Sequence, residues 1–120
     1  MRKGFTLVEI MIVVAIIGII LAIAIPGFIR AREVSRSRAC QENLSKVDGA
    51  KEQWALEKKV SELYAPAWSD LVGVTLYLKN TPTCPADGTY AILKIGSNPT
   101  CDYTEPDWLT DEDFIHELKN

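Results

Sequence analysis

A single carboxylate, Glu9, lies at the edge of an apolar stretch that is long enough to cross a membrane. Residues 10–29 contain no charged side chain, and a helix of about twenty residues spans roughly 30 Å, the thickness of bilayer hydrocarbon. An ionised side chain inside a membrane costs about 2.5–3.5 kcal/mol on insertion scales, so such acids usually have a partner. Glu9 therefore either pairs with a cation or reaches the headgroups from the end of the helix.

The cysteines are the second set of residues that can do chemistry. Cys84 and Cys101 bracket a predicted hairpin, which would bring them together, and a disulfide closing a loop of that size stabilises by about 3 kcal/mol. We predict this pair, with Cys40 left as a buried thiol; a bridge from Cys40 to either of the others is the alternative. Metal binding by cysteine is not expected, because the sequence has no Cys-x-x-Cys pair and only one histidine, His116.

No catalytic constellation is visible. His116 has no nucleophile beside it in the sequence, and there is no glycine-rich phosphate loop. The chain is not expected to be an enzyme. A secretory signal peptide does not fit either, because the apolar run is too long and its small residue, Gly4, precedes the run instead of following it.

The N-terminal residues match a known signature. Residues 2–10, with the sequence Arg-Lys-Gly-Phe-Thr-Leu-Val-Glu-Ile, followed by Gly18 and Pro26, closely resemble the N-terminus of type IV pilins and of the pseudopilins of type II secretion and DNA-uptake machines. The resemblance covers about the first third of the chain.

This resemblance implies how the chain is processed and assembled. It implies that a prepilin peptidase removes residues 1–4 by cleavage between Gly4 and Phe5, and that the new Phe5 amine is N-methylated. It also implies that an inner-membrane platform assembles subunits into a filament, with Glu9 paired to the Phe5 amine of a neighbouring subunit. An amine and a carboxylate within one lipid-embedded bundle can neutralise each other, which a lone subunit cannot offer.

The resemblance also suggests one cofactor. Major pseudopilins bind calcium in their C-terminal loops, and the acidic C-terminal region here offers Asp102, Glu105 and Asp107 as weak candidate ligands. The acids at 111–113 fit a helix start instead, and no EF-hand spacing is present. No other cofactor is expected.

The elements that position these residues begin with one long helix. We expect a leader over 1–4, a membrane-spanning and filament-core helix over 5–29, its amphipathic continuation over 30–64 and a small extracytoplasmic head over 65–120. Pro26 and Gly27 predict a kink, because proline removes a helical hydrogen bond. An apolar stripe on this helix would contact the head. Lys51 lies largely off the stripe, which consists of Cys40, Leu44, Val47, Ala50 and Trp54.

The head is predicted to be α+β. A short helix over 69–78 is favoured slightly over a strand, since residues 72–78 also alternate. Thr89–Ile95 is the clearest strand of a short antiparallel sheet, and a C-terminal helix is expected to start at 110–113 and to include Leu118.

Charge and resemblance together indicate location and function. Residues 60–120 hold three basic and ten acidic residues, a net charge of −7, which argues against direct nucleic-acid binding by the head. The resemblance implies a single-pass inner-membrane protein with a cytoplasmic N-terminus, later part of a periplasmic or cell-surface filament with copies of itself and other pilin or pseudopilin subunits. We predict a structural pilin; the alternatives are a pseudopilin piston subunit of type II secretion or DNA uptake, and a monomeric membrane-anchored binding module.

Overall fold

The computed structural model describes residues 3–107, 109 and 115–118. The chain divides into two compact units, Met1–Glu33 and Val34–Asn120. Helix α1 occupies Leu7–Lys58 and so contributes residues to both units. The elements of the head are helix α2 at Trp68–Leu71 and the antiparallel strands β1 at Tyr90–Ala91 and β2 at Thr100–Cys101. The predicted α+β fold, with a long N-terminal helix and a small head, is confirmed.

Thr6 caps the start of α1. Its Oγ1 accepts a hydrogen bond from the amide of Glu9 at 3.3 Å, and its carbonyl accepts one from the amide of Ile10 at 3.4 Å. A threonine cap with glutamate at the third helical position is a capping-box sequence, which satisfies amides that have no partner inside the helix. The helix therefore begins at Leu7, directly after its cap.

The N-terminal half of α1 is apolar and uncovered. All residues from 3 to 32 are exposed in the single chain, and α1 is the one helix in the described part of the chain that is long and apolar enough to cross a membrane, with a mean hydropathy of 3.1 over its most apolar window. Helical structure continues through Pro26 and Gly27. The kink at these residues stays a prediction.

The C-terminal half of α1 carries the predicted apolar stripe, and its five residues are all buried. One assignment was wrong: Lys51, placed largely off the stripe, is fully buried. Its Nζ donates to the carbonyls of Ile92, at 3.4 Å, and Ser97, and lies 3.2 Å from the carboxylate of Asp48. A buried ammonium is tolerated when its donors are used in this way, which hydropathy periodicity does not register.

Helix α1 ends at Lys58, earlier than the predicted boundary between 60 and 64. Lys59 adopts a left-handed backbone conformation with φ of 52°, and the amide of Val60 donates to the carbonyl of Ala55 at 3.3 Å. This is a common way to close a helix C-terminus. The chain then returns along the helix, where Tyr64 stacks on Trp54 with ring centroids 5.4 Å apart.

The predicted helix over 69–78 is wrong beyond Leu71. Helix α2 is only four residues long, and the following segment forms a closed loop in which Val72 and Leu78 make an isolated parallel bridge. The amide of Gly73 donates to the carbonyl of Leu78 at 2.9 Å, and the amide of Leu78 donates to Leu71 at 2.9 Å. Backbone pairing across the loop thus replaces helical hydrogen bonds, as the alternating pattern had partly indicated.

The predicted strand Thr89–Ile95 is real but shorter. Strand β1 pairs with β2 in the register Tyr90 to Cys101 and Ala91 to Thr100. The strand ends because Leu93 adopts a positive φ of 58°, which extended structure does not permit. Ile92 and Ile95 are buried instead against α1, in a cluster that also contains Val47, Trp54, Ala55 and Leu71.

The C-terminal segment lies beside strand β2. Glu117 makes an isolated antiparallel bridge with Thr100, and residues 115–118 are not helical. The predicted C-terminal helix therefore does not include Leu118, and its predicted start at 110–113 lies outside the described residues.

Candidate functional site

The residues of the predicted processing site lie just before α1. Gly4 and Phe5 are in non-helical, exposed backbone, and the Phe5 side chain is 82% exposed. Glu9 follows in the first turn of α1 and is also exposed in the single chain. The geometry leaves the Gly4–Phe5 bond accessible and places the carboxylate one helical turn beyond it.

A second site was not anticipated from the sequence. The ligand atoms of Cys40, Cys84, Cys101 and His116 all lie within 4.8 Å of one another, and the three cysteines are free thiols. The four side chains together could hold a metal ion, a grouping that the sequence analysis did not anticipate. These residues are far apart in sequence and no local motif marks them; only the odd cysteine count and the lone histidine were visible.

Each member of this group is held by a different segment. Cys40 comes from the buried stripe of α1. Cys84 begins a turn in which the amide of Asp87 donates to its carbonyl at 3.1 Å, with Asp87 at a positive φ of 63°. Cys101 ends β2. The hairpin thus brings Cys84 and Cys101 together as predicted, but their disulfide stays a prediction.

His116 is positioned by the residues on either side of it. The carbonyl of Ile115 accepts hydrogen bonds from Ser37 Oγ and Gln41 Nε2, each at 2.8 Å, while Glu117 bridges to Thr100 of β2. The imidazole itself is buried. These contacts fix the C-terminal segment against α1 and the hairpin, so that His116 faces the cysteines.

The pKa values of Cys40 and Cys84 are shifted in opposite directions. Burial raises the pKa of Cys40 to about 12. For Cys84, burial acts to raise the pKa, but hydrogen bonds from the amides of Ala86 and Gly88 and from the neighbouring cysteines bring it below its ordinary value. The backbone at Gly88 approaches closely here: a Cβ at this position would lie 2.6 Å from Cys101 Sγ, so glycine is required by the packing.

The calcium candidates are not gathered into a site. Among residues 3–107, 109 and 115–118, Asp102, Glu105 and Asp107 do not belong to any group of three or more side chains that could hold a metal ion. The carboxylate of Asp102 accepts a hydrogen bond from the amide of Thr89, which gives it a structural role beside the hairpin.

Known proteins resemble this chain along most of its length. Residues 1–25 match the family model of the prokaryotic N-terminal methylation motif. The type IV major pilin PilA of Myxococcus xanthus is 48% identical over 57 residues, which cover 48% of this chain and 26% of that protein. A fimbrial protein of Dichelobacter nodosus is 40% identical over 95 residues, covering 79% and 53% respectively. The chain thus spans about half or less of the length of these two relatives.

A third relative extends across most of both proteins. The type IV wide pilus major component PilA4 of Thermus thermophilus is 31% identical over 99 residues, which cover 82% of this chain and 70% of that protein. No solved structure matches the chain.

An uncovered apolar N-terminal helix that begins with a methylation motif and leads to a small α+β head defines a pilin-like protein. The length and identity of the match to the Thermus protein make the family definite. This chain belongs to the type IV pilin family.

Proposed function

We propose that this chain is a structural subunit of a type IV pilus-like filament and assembles through the N-terminal half of α1. The observation that carries the proposal is the run of exposed apolar side chains from Phe5 to Ile29 behind a methylation motif. Such a surface needs lipid around the free subunit, and packing against other copies once it leaves the membrane. The relatives named as major pilins and fimbrial proteins support this role over that of a secretion piston or a monomeric module.

Processing is the first proposed step. A prepilin peptidase cleaves between Gly4 and Phe5, removing the leader of residues 1–4, and the Phe5 amine is then methylated. The accessible, non-helical backbone at this bond supports cleavage, since a peptidase must hold its substrate in an extended form. The capped start of α1 at Leu7 protects the chain that follows.

Assembly is the second proposed step. In the membrane, residues 5–29 span the bilayer with the N-terminus in the cytoplasm, while 30–64 continue the helix and 65–120 form the extracytoplasmic head. An inner-membrane platform then moves each subunit into the filament, where Glu9 pairs with the Phe5 amine of a neighbouring copy. This pairing removes the cost of an isolated charge in an apolar surrounding, and it penalises subunits docked out of register.

The head has no catalytic or nucleic-acid role in this proposal. Its net charge of −7 over residues 60–120 repels phosphate backbones. It forms the outer surface of the filament, whose core is made of the N-terminal helices.

The experiment that tests the proposal uses cells in which this chain is the only pilin. We expect long surface fibres in negative-stain micrographs. We also expect the intact mass of the protein in sheared fibres to equal that of residues 5–120 plus one methyl group. An unprocessed chain that stays in the membrane, on cells without fibres, would instead support the anchored monomer.

A further inference from the structure

We propose that Cys40, Cys84, Cys101 and His116 bind one zinc ion, which joins α1 to the hairpin and the C-terminal segment of the head. The four ligand atoms lie within 4.8 Å of one another, and three of the four residues are buried. The proposal is independent of filament assembly, because all four residues belong to the unit Val34–Asn120.

The spacing fits tetrahedral zinc. With Zn–S bonds of about 2.3 Å and Zn–N bonds of about 2.0–2.1 Å, neighbouring ligand atoms are about 3.5–3.8 Å apart. Within the group, Cys84 Sγ lies 3.5 Å from His116 Nδ1. Three cysteines and one histidine are also a common donor set for structural zinc. Because no two of the four ligand atoms are more than 4.8 Å apart, no pair needs to contract by more than about 1 Å to reach the tetrahedral distances.

Contacts outside the group hold the residues that carry the ligands. Tyr90 pairs with Cys101 across the hairpin and packs in one cluster with Cys40 and Cys84. Its hydroxyl accepts a hydrogen bond from Asn43 Nδ2 at 3.3 Å. Contacts of this kind around the ligands strengthen metal sites.

The surroundings also permit the ion to enter. A cleft of about 480 Å³ is lined by Cys101, Tyr103 and His116 among other residues, so two of the four ligands border it. The ring of Tyr103 packs against the imidazole with centroids 4.5 Å apart, which limits the movement of the imidazole. The site is therefore both preformed and accessible.

Zinc binding and the predicted Cys84–Cys101 disulfide exclude each other within one molecule. Zinc displaces the thiol protons to solvent and forms Zn–S bonds without an oxidant. Disulfide formation instead removes two protons and two electrons from the thiols of Cys84 and Cys101, so it requires a two-electron oxidant, and it would leave Cys40 and His116 without a metal. The zinc state uses all four side chains and explains why the third cysteine and the only histidine lie at the same point.

The test uses the full chain, solubilised from membranes in detergent. Two samples are prepared: in one the free thiols are alkylated at lysis, and in the other they are left unmodified. The unalkylated protein should contain one zinc per chain by elemental mass spectrometry. Replacement by Co²⁺ should give the visible absorption of tetrahedral cobalt thiolate. We expect Cys40→Ser and His116→Gln each to weaken zinc binding by more than 10-fold. Ser45→Ala, an exposed change on the same helix, should leave it unaltered.

Two results would overturn the proposal without requiring any variant to fold. One is a wild-type chain that stays free of zinc when the reduced protein is equilibrated with micromolar Zn²⁺. The other is an alkylated sample from native membranes whose intact mass shows a single alkyl group and whose peptide map places that group on Cys40, with Cys84 and Cys101 joined. If the wild-type chain binds zinc but cells that express it as their only pilin form no fibres, the proposed function is contradicted and the zinc site is still supported.

Discussion

Cells whose only pilin carries Glu9→Ala are expected to show at least a tenfold lower fibre yield than cells with the wild-type chain. In the proposed filament, removing the carboxylate would leave the Phe5 amine of the neighbouring subunit unpaired in an apolar core. Breaking such a pair costs about 3 kcal/mol, which corresponds to a roughly 100-fold weaker association for each subunit. Fibres sheared from cells and quantified against membrane-bound subunit measure the effect.

Two further variants separate pairing from helix capping and from general loss of an acid. Glu9→Gln keeps the side-chain length and the backbone hydrogen bond to Thr6 and removes only the charge, so it should fail as Glu9→Ala does if charge matters. Glu42→Ala removes another acid of α1, whose exposed ion pair with Lys46 spans 2.8 Å, and should assemble normally. Normal fibres from Glu9→Ala would mean that Glu9 only reaches the headgroups.

Replacing Lys51 with methionine is expected to lower the stability of the head by about 2–4 kcal/mol. Methionine keeps most of the buried stem but leaves the carbonyls of Ile92 and Ser97 without this donor, and Asp48 without its cation. For a unit of this size, the melting temperature should fall by roughly 10–20 °C. Thermal unfolding followed by tryptophan fluorescence reports on the head, because Trp54 and Trp68 pack in its core.

Lys46→Met is the matched control. Lys46 lies on the same helix and also has an acidic partner nearby, Glu42, but both side chains are more than half exposed. Exposed pairs of this kind contribute little to stability, so its melting temperature should not differ measurably from that of the wild-type chain. Equal losses in the two variants would show that the buried hydrogen bonds of Lys51 do not hold the head on α1.

Local sequence signals were sufficient for the long helix. An uninterrupted apolar run and the periodic stripe each predict helix independently, and the stripe is buried as expected. Signals in the head were weaker, because its elements are only two to four residues long. The positive φ of Leu93, beside which the predicted strand stops, is not encoded in any local propensity, whereas the bridge between Val72 and Leu78 was partly indicated by the alternating pattern of residues 72–78.

The candidate functional residues also differ in whether local sequence predicts them. Gly4, Phe5 and Glu9 lie in one continuous motif, so sequence alone identified them as candidates. Cys40, Cys84, Cys101 and His116 come from four separate segments, and they meet only because α1, the turn after Cys84, the hairpin and the anchored C-terminal segment all fold together. Lys51 was misplaced because its burial depends on carbonyls more than forty residues away in sequence.

A helical reconstruction of fibres purified from cells that express only this subunit tests most directly whether Glu9 pairs with the Phe5 amine of a neighbouring copy. We predict that the N-terminal halves of α1 pack together along the fibre axis. The Glu9 carboxylate should lie within about 4 Å of the methylated Phe5 amine of an adjacent copy, as an ion pair requires. A reconstruction in which Glu9 faces water, or contacts no cation, would contradict the proposed pairing.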